Sequence, residues 1–425
     1  MRGFGPALEE RDFRLWWLAL LGMGTSLQML EVAIGWEVYA LHRSALDLGW
    51  IGLAEFIPLF VLALPAGHLA DRVPRRLIFA GALVLGAGVG VGLAAVTEAG
   101  TTELWAYLAL AVGSGIAMAL GWPAARAMAP TLVPLELLAS AMTLRSIATQ
   151  SGQVVGPAIG GLLYGVSPVG VYLLAACCCL LAGASVMAMR PHPAAEASPA
   201  AVDRGRSASI DSVLEGLRFV SKTQILLGAI LLDLLAVLFG GAVALLPVFA
   251  RSILHVGAAG LGVLRASPAV GALLAAAVLT RRPLGGRAGR TLLIVVGLYG
   301  ASIIVFGLSR VFVISLIALG VSGFVDLFSM NIRSTTVALA TPDRLRGRVN
   351  AVEMVFISAS NQLGAFESGL AAYLVGTVPA VVGGGAITIL LAISWRRIFP
   401  ALAEVDRLEH LRPRDPSRTP IEAAA

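Results

Sequence analysis

Charge is scarce in this 425-residue chain: charged residues make up 13%, about half the share in ordinary globular proteins. Lysine is almost missing, with Lys222 the only one, and no G-x-x-x-x-G-K-[ST] run surrounds it. That excludes a P-loop nucleotide site and with it a primary pump. Histidine is rare, and His42, His68, His192, His255 and His410 all fall at the ends of apolar runs or between them. A histidine proton relay at mid-membrane, a paired-histidine metal site and an H-E-x-x-H hydrolase are therefore excluded. The three cysteines are consecutive, Cys177 to Cys179. Neighbours on a helix point ~100° apart, so they do not converge on one metal. Aromatics are 7%. Trp16, Trp17, Trp36, Trp50 and Trp395 fall near the ends of apolar runs, as an interfacial belt would have them.

What fills the chain instead is apolar. Hydrophobic residues are 58% and mean hydropathy is +0.86. A soluble fold could not hide that much apolar surface, and disorder is ruled out by the same numbers. Glycine is abundant at 48 residues, which suits close helix contact in lipid. A bilayer span takes roughly 20 apolar residues. Twelve such spans are expected, at 14–41, 47–70, 75–97, 103–127, 137–165, 168–189, 223–250, 259–280, 289–309, 311–337, 349–375 and 378–399. The fold class expected is an all-α polytopic membrane protein of two six-helix bundles, 1–189 and 223–400. A linker at 190–222 and a tail at 401–425 complete the chain. The linker opens Pro-rich and closes with Ile210, Val213, Leu214 and Leu217 behind a Ser212-x-x-Glu215 capping box. That pattern predicts an interfacial amphipathic helix.

All basic residues except Arg43, Arg251, Arg265 and Arg310 fall on one side of this topology. The asymmetry places both termini and the linker in the cytoplasm, in a multi-pass plasma (cell inner) membrane protein. The halves also resemble each other. At an offset of 210, Gly52 lies over Gly262, Pro58 over Pro268 and Arg72 over Arg282, with Glu55 over Arg265. At 208, Gln153 lies over Asn361, Gly156 over Gly364, and Gly161 over Gly369. Both copies share one orientation, so the repeat is parallel, a transporter architecture with the path between halves.

The loop after span two reads GHLADRVPRR, Gly67 to Arg76. It resembles the signature loop of the major facilitator superfamily. SLQMLEVAIGWEVYAL (Ser26 to Leu41), PDRLRGRVNAVEMVFISASNQLGAFESG (Pro342 to Gly369) and GPAIGG (Gly156 to Gly161) are similar to the enterobactin-exporter-like branch, which includes drug and siderophore effluxers. The resemblance implies alternating access. It implies an inner gate of Gly67, Asp71, Arg72, Arg75 and Arg76, with Arg126 as a partner of Asp71. It also implies a hinge or seal at Gly156, Pro157, Gly160 and Gly161. The usual later glycine of the loop is replaced by Val73-Pro74.

Charges inside spans are costly and mark function by default. Glu31, in an apolar helix with Gln28 and Gly35 one turn away, is the candidate proton carrier. Asp233 is the alternative, or binds a cationic substrate. Pairing of Glu31 with Arg265 is the bland reading. Glu55, Arg265 and Glu367 share a depth of ~9–13 Å below the outer surface and are expected to form an outer gate. Gln28, Gln153, Asp326, Asn361 and Gln362 are substrate-path candidates. Glu37, nearer the interface, is expected to be solvated. The function expected is a secondary transporter, a proton-coupled exporter of a small organic molecule. An importer, or a receptor or scaffold without a transport cycle, is the alternative. Acids at depth disfavour a strongly anionic substrate. No enzymatic activity, cofactor, metal or nucleic acid is expected; protons, lipid and a small molecule are, for a monomer.

Overall fold

The computed structural model describes residues 5–190, 210–281 and 286–406, except the side chains of 63–64, 66–68, 70–72 and 210–213. Twelve long helices carry the described residues. They are α1 (Arg11–His42), α2 (Ala45–Arg72), α3 (Arg75–Glu98), α4 (Leu104–Met128), α5 (Leu138–Tyr164), α6 (Pro168–Met187), α7 (Gln224–Gly240), α8 (Gly257–Arg281), α9 (Ala288–Leu308), α10 (Phe312–Ala340), α11 (Arg346–Val375) and α12 (Thr377–Ile398). Local chemistry sets the turns. Arg43 closes α1 in the left-handed region, Ser44 caps α2 by accepting from the Asp47 N–H, Pro74 separates α2 from α3, and Ser167 caps α6.

Among the described residues, ten helical segments are long and apolar enough to cross a membrane. The two expected spans that fall short are α5 and α11, with Arg145, Gln150 and Gln153 on one and Glu353, Asn361, Gln362 and Glu367 on the other. Their polarity has a structural reason. Each packs between the two halves, α5 against α1 and α8, α11 against α7 and α2.

The packing is two-fold. In the first half α1 contacts α5 and α6, α3 contacts α4 and α6, and α2 contacts α4; in the second, α7 contacts α11 and α12, α9 contacts α10 and α12, and α8 contacts α10. The bridges α2–α11 and α5–α8 exchange under the same symmetry. The aligned glycines make these bridges. A Cβ on Gly161 would lie 2.8 Å from Gly262 Cα, and one on Gly369 would lie 3.0 Å from Gly49 Cα. No side chain fits there, so these helices touch backbone to backbone. Outward faces remain apolar, as lipid requires: Ile317, Leu390 and Ile393 are all exposed.

Two elements differ from expectation. Span seven is not one helix. It breaks at Gly240–Gly241 and continues as a 3-10 turn (Ala242–Leu245), a short helix (Leu246–Val248) and a π-helical turn (Phe249–Ile253). The carbonyls freed by the break are satisfied from neighbours: Tyr299 OH donates to Gly240 at 3.2 Å and Ser368 Oγ to Gly241 at 2.9 Å. The linker helix, Ile210–Lys222, is amphipathic as expected, with Leu214 and Leu217 exposed and the side chains of Ile210 and Val213 outside the described residues, but it packs a second face on protein. Phe219 and Val220 pack on Leu345 and Val349, and Arg348 pairs with Glu215. Beyond α12, Leu402 and Val405 are buried in the second half, so the packed body reaches into the expected tail.

The tryptophan belt also needs correction. Trp16 and Trp395 are buried, and their indole N–H groups donate to the Ala125 and Gly228 carbonyls at 3.0 Å each. They fasten helices where span-end position suggested an interface.

Candidate functional site

The side that carries the start of α1 and the end of α12 is the inner side; the opposite side is the outer. Contacts between halves concentrate on the outer side. Tyr39 of α1 shares a hydrogen bond of 2.8 Å with Ser252 on the π turn, and Arg251 stacks 5.3 Å above the Trp36 ring. Trp50 of α2 meets Phe366 of α11 with ring centroids 5.1 Å apart. On the inner side, among the described residues, the side-chain hydrogen bond between halves is Arg126 to Met354 Sδ, 3.0 Å. The outer route is thus sealed, an inward-facing arrangement.

Just inside that seal lies a charged cluster. Arg265 of α8 forms an ion pair with Glu31 of α1. Glu55 of α2, 8% exposed, feels both charges and accepts a hydrogen bond from Gln362 of α11 at 3.4 Å. Two acids from the first half therefore meet one cation and one amide from the second. The expected outer gate is corrected in one member. Glu367 is not in the cluster, and Gln362 represents α11 there. Five residues further on is about 140° round a helix, and Glu367 instead lines a cleft beside the break in α7, with Gly240, Gly241 and Ser368. Gln28 lies against Gly156, and its buried Oε1 has no partner. Gly35, read as leaving room, is filled by Pro247.

Glu37 overturns its expectation outright. It is 5% exposed, and its carboxylate accepts from Thr97 at 2.8 Å, Tyr107 at 2.9 Å and Tyr172 at 2.5 Å. Helices α1, α3, α4 and α6 are thereby tied at one point. The sequence signal was available but diffuse: tyrosines at the outer ends of apolar helices, whose hydroxyls must find an acceptor when buried.

In the second half Asp233 of α7 is ion-paired with Arg333 of α10, and Glu353 of α11 lines the same cleft. Asp233 is thus already occupied in this conformation. Asp326 lies two turns from Arg333 on the same face of α10, opposite the lipid-facing Ile317 and Val321, yet its side chain is exposed. It therefore faces the internal path, where Tyr299 senses its charge. Asn361 is exposed on α11, with its amide donating to the Ile357 carbonyl at 2.8 Å. Gln153 is half-buried on α5.

Of the expected inner gate, Gly67, Asp71 and Arg72 belong to α2, but their side chains lie outside the described residues. Arg75 donates to the Ala127 carbonyl at 3.3 Å, and Arg76 to Val186 at 3.0 Å and to Met187. Both arginines serve the carbonyl ends of α4 and α6, where a cation is favourable. In the GPAIGG stretch Gly156 and Gly160 lie against Thr25, Gln28 and Met29 of α1, while Gly161 meets α8. The motif is the seam on which α5 holds both halves.

The sequence model of the transmembrane secretion effector family matches residues 2–422. The enterobactin exporter EntS of Citrobacter koseri is 27% identical over 392 residues, covering 89% of each chain. The protein of the same name from Shigella boydii is 27% identical over 405 residues, covering 91% of this chain and 92% of its own. Among solved structures, the nucleoside transporter NupG aligns with a TM-score of 0.72 at 13% identity, over 92% of this chain and all of that one (100%). A bacterial homologue of the lysosomal transporter Spinster, inward-facing and occupied, aligns at 0.70 and 14%, over 92% and 97%.

Proposed function

The chain belongs to the transmembrane secretion effector family, a major facilitator transporter family, and from that membership we propose a proton-coupled exporter of a small organic molecule. A siderophore-like or drug-like cargo follows from the EntS relatives, which are named enterobactin exporters. The inner side is the cytoplasm, and the working unit is a monomer in the inner membrane. The arginine asymmetry supports the orientation.

One observation carries the coupling: the Glu31–Arg265–Glu55 cluster draws its acids from one half and its cation from the other. With the outer side sealed, Arg265 neutralises Glu31 and Gln362 holds Glu55. Outward opening moves α8 and α11 away from α1 and α2 and removes both partners together. The two carboxyls stay on neighbouring helices without a counter-ion and hold a proton from the outside between them. Resealing returns Arg265, which displaces that proton toward the inner path. Binding of one proton then accompanies the outward-open state, in which cargo leaves. The cycle is coupled because the cation and the proton exclude each other at one site.

Everted membrane vesicles energised by respiration test this. Addition of a transported compound, found by screening siderophores and lipophilic drugs, should release the lumenal proton gradient. The same vesicles carrying Glu31→Gln with Glu55→Gln should bind the compound but leave the gradient intact. Full gradient release by that double variant would remove the cluster from coupling.

A further inference from the structure

We propose that the break in α7 binds one small monovalent metal cation, of the size and charge of Na+. Its ligands are the Glu367 carboxylate, the Ser368 hydroxyl and the Gly240 and Gly241 carbonyls, and the bound ion keeps the outer side sealed. The site shares no residue with the Glu31–Arg265–Glu55 cluster and does not rest on the export reading. Glu367, Ser368, Gly240 and Gly241 line one cleft, which has room for about one water molecule. Ser368 Oγ donates to the Gly241 carbonyl at 2.9 Å, and its own lone pairs remain for a cation. Tyr299 OH donates to the Gly240 carbonyl at 3.2 Å, which leaves that oxygen a second lone pair. Because α7 ends here, its last four carbonyls, Val237 to Gly240, have no partner within the helix.

The electrostatics of this cleft call for a positive charge. A helix C-terminus carries about half a negative charge, and the Glu367 carboxylate stands beside it at membrane depth. No arginine, lysine or histidine lines the cleft among the described residues, and Ile303, Ala371 and Val381 make its remaining walls apolar. A cation between the carboxylate and the helix end relieves their repulsion. Carboxylate, hydroxyl and carbonyl oxygens suit a hard metal ion. The small space excludes an organic ammonium. One carboxylate balances one positive charge, so a divalent ion would bring uncompensated charge to membrane depth. Carbonyls of unwound backbone and of half-helix ends are suited to such ions inside a bilayer. The chain beyond the break is the part of the second half that closes the outer side. There Pro247 fills the space over Gly35, Arg251 stacks on Trp36 and Ser252 bonds to Tyr39. An ion that fixes the Gly240–Gly241 turn therefore fixes the direction of that segment.

The test uses full-length protein in phosphatidylcholine nanodiscs at mildly alkaline pH, where few protons compete, with choline as the replacement for Na+. Radioactive Na+ should bind saturably. E367Q should abolish that binding, and S368A should weaken it at least about tenfold. E353Q, which removes a carboxylate elsewhere on α11, should bind Na+ as the parent does. In unmodified protein, hydrogen exchange read by peptide mass spectrometry should slow across residues 239–253 when Na+ replaces choline; this arm needs no variant to fold. A cysteine placed at Ser252 should also react more slowly with a maleimide in Na+ than in choline. No saturable Na+ binding, or equal binding in E367Q and the parent, overturns the site. Displacement of Na+ by micromolar Ca2+ overturns the monovalent assignment. Equal exchange and equal labelling in Na+ and choline overturn the link to the seal.

Discussion

Glu37 and Glu31 lie six residues apart on α1 and have opposite kinds of partner. Glu37 is surrounded by neutral hydroxyls of its own half, while Glu31 answers to an arginine of the other half. Glu37→Ala leaves the buried Tyr172 hydroxyl without its acceptor, at a cost of about 1–3 kcal/mol, and leaves Thr97 and Tyr107 only the Leu93 and Thr101 carbonyls. The variant should unfold several degrees earlier in detergent. An unchanged melting temperature would mean that the Tyr172 hydroxyl is satisfied elsewhere. For Glu31 the expected signature is pairing. Glu31→Arg and Arg265→Glu should each impair transport, and the double swap should recover part of it, with a coupling energy of about 1–3 kcal/mol in a double-mutant cycle. Additive losses would mean that the two side chains do not act together. The sequence offered Glu31, Glu55 and Arg265 as charges at membrane depth, and all three meet in the cluster. It misplaced Glu367 and Glu37, since depth follows from residue number but facing follows from helix rotation.

At the scale of elements, the decisive contacts are glycine seams. Gly161 and Gly262 bring α5 and α8 together on the outer side, and Gly49 and Gly369 do the same for α2 and α11. Gly161→Val inserts a branched side chain where the next backbone is closer than any Cβ tolerates. The seal should yield before the bundles do, because each bundle has its own core. We expect a cysteine at Ser252, on the sealed face, to react faster with an impermeant thiol reagent from outside in Gly161→Val than in the parent. Equal reaction rates would show that the seam is not what closes the route. The linker helix behaves differently. Its Glu215–Arg348 pair is partly exposed, and pairs of that kind contribute about 0–1 kcal/mol. Glu215→Gln should therefore leave stability nearly unchanged, with Phe219 and Val220 holding the helix in place.

For the whole molecule, orientation is the testable consequence of charge. If the arginine-rich side is cytoplasmic, a Ser207→Cys variant in intact cells resists an impermeant maleimide until the membrane is opened. Ready labelling of intact cells would invert the topology and turn the proposed exporter's inner mouth outward. In the proposed export cycle, that orientation makes the conformation with the sealed outer side the one that admits cargo from the cytoplasm.

Hydrophobic run length by itself determined that the chain crosses a bilayer many times, and ten described helices are long and apolar enough to do so. The bilayer fixes the length of a span, and an apolar run of that length has nowhere else to go. The repeat offset likewise announced two equivalent halves, because Gly52, Gly156 and Gly161 and their mates meet the same packing demand twice. Asymmetric arginine placement gave the expected orientation. Only the tertiary structure decided who meets whom. Glu31 finds Arg265 across 234 residues, Glu55 finds Gln362 across 307, and Glu37 finds Tyr172 across 135. A one-residue rotation turns a side chain by about 100°, so no linear pattern fixes such pairs. The break in α7 was hidden for the same reason. A Gly-Gly pair in an apolar run continues as helix unless neighbours supply donors for its freed carbonyls, and those donors, Tyr299 and Ser368, come from α9 and α11.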